Sequence, residues 1–162
     1  VMMGTRSGDI DGGAVAFLQK KLNLDADGIS DLLNKKSGVL GITELSSDMR
    51  EVEAACEKGD PKAILSMKMY NYRIKKYIGA YAAAMGGVDI IVFTAGVGEN
   101  QWSTRQEACE GLEFLGVKID KELNKGLRGV EKVISTADSK VTVCIIPTDE
   151  ELMIATDTME LL

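Results

Sequence analysis

Four short stretches of this 162-residue chain carry residue types that can handle phosphate, a carboxylate or a hard metal ion. In the first, Gly4-Thr5-Arg6-Ser7-Gly8-Asp9-Ile10-Asp11, an arginine flanked by hydroxyls and glycines can present a planar, permanently charged fork to a phosphoryl or carboxylate group. A solvated loop arginine would read the same way. The second is Ser46-Ser47-Asp48-Met49-Arg50, where serine or aspartate could equally cap a helix. In the third, Phe93-Thr94-Ala95-Gly96-Val97-Gly98-Glu99-Asn100, two glycines bare the backbone where an apolar run ends and a helix is due. Such N–H groups attract phosphate, although the glycines would also serve a tight turn. The fourth, Pro147-Thr148-Asp149-Glu150-Glu151, sets three carboxylates at a helix start. The helix dipole favours acids there, and Mg²⁺ favours one or two carboxylates completed by phosphate oxygens.

What the chain lacks narrows the chemistry. It has no histidine, which removes Ser-His-Asp and Cys-His triads, histidine zinc sites and any imidazole base. The dinucleotide fingerprint fails because its third glycine would fall at Gln101, and no GxxxxGK[ST] loop occurs. Nineteen basic against 25 acidic residues give a net charge of −6, which argues against nucleic acid as a partner. No apolar run is long enough for a membrane span, and no signal peptide opens the chain. The three cysteines, Cys56, Cys109 and Cys144, form neither a disulfide framework nor a CxxC knuckle, so a cytoplasmic setting is expected. The first motif lies almost at the first residue, which implies that the chain is part of something longer.

These stretches need elements to position them. Ala14 to Leu22 is expected to be helical, and Ser46 or Ser47 is expected to cap a helix running to about Cys56. Asp60-Pro61 reads as an N-cap and first helical residue. From there Ile64, Met67, Tyr70, Ile74, Tyr77, Ile78, Tyr81 and Met85 recur at spacings of three and four, predicting one long amphipathic helix ended by Gly86-Gly87. Ile90–Phe93 predicts a buried strand followed by a glycine loop and a helix from about Ser103 to Phe114. Val141, Val143, Ile145 and Ile146 predict a second buried strand, closed by Pro147. Glu150 to Met159 predicts a last helix, capped by Thr148 or Asp149. Strands alternating with helices indicate an α/β layer with a largely parallel sheet in one domain, since no linker is visible. In such sheets ligands gather at the carboxyl ends of strands.

The stretches MMGTRSGDID, SGVLGI, SSDMR, FTAGVGEN and IPTDEELMIA, in this order and at this spacing, resemble the acetate kinase family across the whole chain. The resemblance implies an actin-like, ribonuclease H-like ATPase domain with a mixed sheet flanked by helices, of βββαβαβα topology. It implies that residues 1–162 form a single C-terminal nucleotide-binding and dimerisation domain, with the N-terminal domain absent. Arg6 then matches the arginine at the transferring phosphoryl group, and Asp48, Met49 and Arg50 match the stretch against adenine and ribose. Gly96, Val97, Gly98, Glu99 and Asn100 match the loop around the nucleotide, and Glu150 matches the glutamate associated with Mg²⁺. Gly12 stands where the family usually has proline, and Asp149 where it usually has asparagine; the added charge could attract metal or cap the helix.

The function so implied is reversible phosphoryl transfer from ATP to acetate, giving acetyl phosphate and ADP, with Mg²⁺ or alternatively Mn²⁺ as cofactor and a homodimer as the assembly. Acetate, acetyl phosphate, ATP and ADP are the expected partners. Alternatives are a kinase for propionate or another short-chain acid, and a nucleotide-binding or dimerisation module without activity of its own. A nicotinamide-dependent dehydrogenase is disfavoured by the incomplete glycine fingerprint.

Overall fold

A stretch without regular structure opens the chain and is fixed by the elements that follow it. In the computed structural model, which describes residues 1–161, the first helices are α1 (Gly12–Leu22), α2 (Ala26–Lys35) and α3 (Gly38–Thr43). They are followed by α4 (Met49–Glu57) and the 25-residue α5 (Pro61–Met85). The chain divides into two compact units, Val1–Tyr81 and the residues from Ala82 on, and the division falls within α5 rather than at a linker.

In the first unit, side-chain carboxylates start most helices. Asp11 accepts from the amides of Gly13 and Ala14, Asp25 from Gly28, and Asp60 from Lys62 and Ala63. Each satisfies N–H groups that have no partner within the helix. The structure places the cap of α4 on Asp48, which accepts from Arg50 N, and not on Ser46 or Ser47. Ser46 instead accepts from the Asp48 amide, one step before the helix. The core of this unit is Met2, Val39, Val52, Ala63 and Met67, with Met49, Tyr70 and others packed on it. α5 therefore buries Ala63, Ser66, Met67 and Asn71, a line displaced from the large apolar stripe; Tyr81 and Met85 are exposed. α5 ends as expected, with Gly86 and Gly87 at positive φ.

The second unit contains β1 (Ile90–Phe93), α6 (Ala95–Asn100), α7 (Trp102–Cys109) and α8 (Lys121–Asn124), then β2 (Lys132–Val133), β3 (Thr142–Ile145) and α9 (Glu150–Glu160). β1 pairs in parallel with β3, Ile91 opposite Val143 and Phe93 opposite Ile145, and β2 pairs antiparallel on the other side of β3. The three-stranded sheet is thus mixed. The apolar run did not reveal that β1 is an edge strand with alternating faces: Ile91 and Phe93 are buried while Ile90 and Val92 are exposed. The helix expected to reach Phe114 stops at Cys109, because Gly111 at φ +80° turns the chain into a short 3-10 turn over Glu113–Leu115. The glycine segment after β1 is also no loop but the short helix α6. None of the described helices is long and apolar enough to cross a membrane.

The opening stretch depends on α2 and α3. Ser37 N donates to Thr5 O, Val39 N to Met3 O and Leu40 N to Gly4 O, so the amides at the start of α3 find acceptors just before Arg6, while Ser7 N, just after it, donates to Leu33 O of α2. This close approach needs Gly38: at φ +62°, a Cβ there would lie 2.2 Å from Met3 O and 2.7 Å from Arg6 O. We expect Gly38→Ala to destabilise the protein by at least about 2 kcal/mol, through left-handed backbone strain plus displacement of the Arg6 segment. Urea denaturation reads this out, and an unchanged midpoint would contradict the packing described.

Candidate active site

Each unit gathers its own share of the sequence motifs. In the first, Gly4 lets two of them meet, since a Cβ on it would lie 2.9 Å from Ser47 O. The Gly4–Asp11 stretch and the Ser46–Arg50 stretch are therefore neighbours, with the Ser37-Gly38-Val39 turn beside them. Arg6 is exposed and borders an open polar cavity of about 670 Å³ lined also by Thr5, Asp27, Ser30, Asp31, Asn34 and Lys35. Lys35 is already committed: it lies 3.1 Å from Asp31, which also binds Lys36. The two ammonium groups, Lys36 foremost, hold the Asp31 carboxyl below its ordinary range. Among the described residues no carboxylate pairs with Arg6, so its fork is free for an anion brought from outside.

Asp48 and Arg50 form a closed pair. Arg50 Nε donates to Asp48 Oδ1 at 3.0 Å and Nη2 to Oδ2 at 2.6 Å, while the Arg50 amide holds Oδ1 at 2.9 Å. The Arg50 side chain, then its backbone N–H, lower the Asp48 carboxyl from 3.8 to about 2. Met49 packs against the core, while the Arg50 side chain is exposed.

In the second unit, β1 hands over to α6 through Ala95, a non-glycine residue at φ +56°. Gly98 fits tightly against the strand, since a Cβ on it would lie 3.1 Å from the Phe93 carbonyl carbon; Gly96 faces open space. Asn100 Nδ2 donates back to Gly96 O at 2.9 Å. Glu99 accepts from Thr148 N at 2.8 Å and from Thr148 Oγ1 at 3.0 Å, which joins the glycine segment to the Pro147–Glu151 stretch. The Thr148 amide is the main cause of the lowered Glu99 pKa. Asp149 caps α9 by accepting from Leu152 N at 2.9 Å, so its carboxylate is committed to the helix. Glu150, in the first turn of α9, is exposed and has no hydrogen-bond partner among the described residues. Three or more potential metal ligands do not cluster anywhere among the described residues. An exposed carboxylate outside such a cluster suits Mg²⁺ completed by phosphate and water oxygens, and does not suit a closed protein cage.

Some of the groups around these segments carry no local signal in the sequence. Arg105 is completely buried in α7 beneath the glycine segment, within a polar stretch that carried no marker. Thr148 was considered only as a cap, and the α2 residues at the Arg6 cavity lie in a helix that the periodicity did not single out.

A mixed sheet carrying a glycine-rich helix start at a strand end is the fold class of the actin-like ATPases, and the comparisons make the class specific. The family model of the acetokinase family matches residues 1–156. The chain is 70% identical over all 162 residues to the acetate kinase of Phocaeicola vulgatus and 62% identical to that of Parabacteroides distasonis, covering 40% of each relative. Its fold matches the crystal structure of Porphyromonas gingivalis acetate kinase with a TM-score of 0.95 at 60% identity, over 99% of this chain and 40% of that one. A propionate kinase from Francisella tularensis matches with a TM-score of 0.86 at 37% identity, over 96% of this chain and 39% of that one. The chain belongs to the acetokinase family, and it spans about 40% of the length of the curated relatives it matches.

The Asp48 pair has a pH signature. Because the folded pKa is below the ordinary one, its contribution is complete above about pH 4 and fades as pH falls towards 2. NMR titration of the Asp48 carboxyl should give a midpoint near 2, and Arg50→Ala should bring it back towards 3.8. An unmoved midpoint in the variant would mean the pair is absent in solution.

Proposed function

We propose that the protein carrying this chain transfers a phosphoryl group reversibly between ATP and acetate, giving acetyl phosphate and ADP, and that these residues form its C-terminal nucleotide-binding and dimerisation domain. The observation that carries the reading is Arg6: a guanidinium without a carboxylate partner, held beside a polar cavity by backbone bonds on both sides. Phosphoryl transfer asks for positioning and charge neutralisation rather than covalent help, which a chain without histidine can supply in part. The 70% identity over the whole chain to a relative named acetate kinase favours acetate as the acid.

In this reading Arg6 binds the equatorial oxygens of the transferring group through two parallel N–H bonds. Gly96, with nothing facing it, leaves room for the nucleotide along Gly96, Val97, Gly98, Glu99 and Asn100. Asp48 and Met49 fix the start of α4 so that Arg50 lies at the adenine and ribose. Glu150 would hold Mg²⁺, or Mn²⁺ in its place, which would supply charge neutralisation for phosphate oxygens. The protein acts in the cytoplasm as a homodimer paired through this domain, without nucleic acid or membrane.

In the full-length protein, Arg6→Ala should lower kcat for acetyl phosphate formation on the order of 10²- to 10³-fold, and Arg6→Lys should not restore it, because lysine lacks the fork. Nucleotide Kd should stay near wild type. Near-normal kcat in the alanine variant would remove Arg6 from the reaction. Separately, Glu150→Ala should raise the Mg²⁺ concentration needed for half-maximal rate by about an order of magnitude. A Mg²⁺ titration that coincides with wild type would leave Glu150 as a helix-terminus acid only.

A further inference from the structure

Arg105 is a buried cation that no acid faces among the described residues. Its side chain is completely inaccessible, and its four hydrogen bonds all end on neutral oxygens. Nε donates to Asn124 Oδ1 at 2.8 Å, and Nη1 donates to the carbonyls of Gly98 at 2.8 Å and Glu99 at 3.0 Å. Nη2 donates to Leu127 O at 2.8 Å. Asn124 is oriented in turn, since its Nδ2 donates to Trp102 O at 2.9 Å. The Glu99 carbonyl also accepts from Gly129 N, so the glycine segment is tied to the 127–129 turn twice. Burial, helped by the nearby Arg128, pulls the Arg105 pKa down to about 10, which leaves it charged at neutral pH.

Filling space does not require this group. An aliphatic side chain would occupy the same volume without the cost of taking a charge out of water. What only a guanidinium offers is a rigid fan of donors, which here reads carbonyls from two separate segments at once. The carbonyls of Gly98 and Glu99 belong to the last turn of α6, where they have no partner inside the helix, and a cation is favoured there by the peptide dipoles. Arg105 thus decides where α6 ends and in which direction its backbone runs.

We propose that Arg105, oriented by Asn124, is a positioning residue for the nucleotide: by fixing the Gly98 and Glu99 carbonyls it sets the course of Gly96–Asn100 along which ATP and ADP lie. This rests on the nucleotide reading of that segment. The test uses Arg105→Lys, Asn124→Ala and Asn124→Asp in the full-length protein, with Gly96→Val as the control for the segment itself. Folding is checked by thermal melting, nucleotide Kd by isothermal titration, and KM for ATP and for acetate by assay. Arg105→Lys and Asn124→Ala should raise the nucleotide Kd and KM about tenfold while the acetate KM stays near wild type. Asn124→Asp keeps an acceptor for Nε and should recover most of what Asn124→Ala loses. Asn124→Ala removes less than Arg105→Lys and decides the matter if the lysine variant does not fold. Folded variants with wild-type nucleotide Kd, beside a Gly96→Val protein that no longer binds nucleotide, overturn the role of Arg105 and leave the segment's role standing. A lower melting temperature with unchanged KM values likewise reduces Arg105 to a structural part. If Gly96→Val binds nucleotide as well as wild type, the segment does not face the nucleotide and both readings fall.

Discussion

Main-chain polar groups in segments without long regular structure must find partners, and this requirement organises both units. Around Arg6 the partners are the last turn of α2 and the first amides of α3, which meet the opening stretch from two sides. Around Gly98 and Glu99 the partners are a guanidinium and the Gly129 amide. In both places a piece of chain suited to touching a ligand is held by groups distant in sequence. Glycine makes the contact feasible in the first unit, at Gly4 and Gly38, where a Cβ would collide with backbone. A buried charge makes it feasible in the second.

The electrostatics of the two arginines are opposite, and the difference follows from solvation. Arg6 is exposed, without an internal carboxylate, and keeps its capacity for an anion. Arg105 is desolvated and spends its donors on carbonyl dipoles, so it organises structure and has no fork left to offer. Arg50 is of a third kind, exposed but closed onto Asp48. Identical side chains thus stand open to solvent, brace backbone or close onto a neighbour according to what lies within a few ångströms.

Much of this was legible in the sequence, and the failures have physical causes. The helix starts marked by Asp60 and by Asp149, and the stop at Gly86-Gly87, are set within a few residues of the chain and were readable to within a turn. The sequence offers both serine and aspartate as the cap of α4, because three capping side chains compete there; Asp48 takes the role while Ser46 accepts from the Asp48 amide. Burial of β1 on both faces was inferred from an apolar run that does not tell an edge strand from a central one. β2, two residues long, has too little sequence to carry any pattern. The candidate site residues are those that a local motif marks. Arg105 and the α2 face are not among them, since their roles come from partners 6 to 22 residues away or more, which no local spacing encodes.

The bond from Thr148 to the Glu99 carboxylate carries a thermodynamic consequence. It spans 49 positions of sequence and joins the segment after β1 to the segment after β3, two neighbours in the sheet. Two independent loops would each lose their own conformational entropy when a ligand ordered them. Here the carboxylate bridge makes them one ordered body, so a ligand that orders one segment finds much of the other's freedom already gone. Affinity at one segment is thereby linked to affinity at the other without any change of shape.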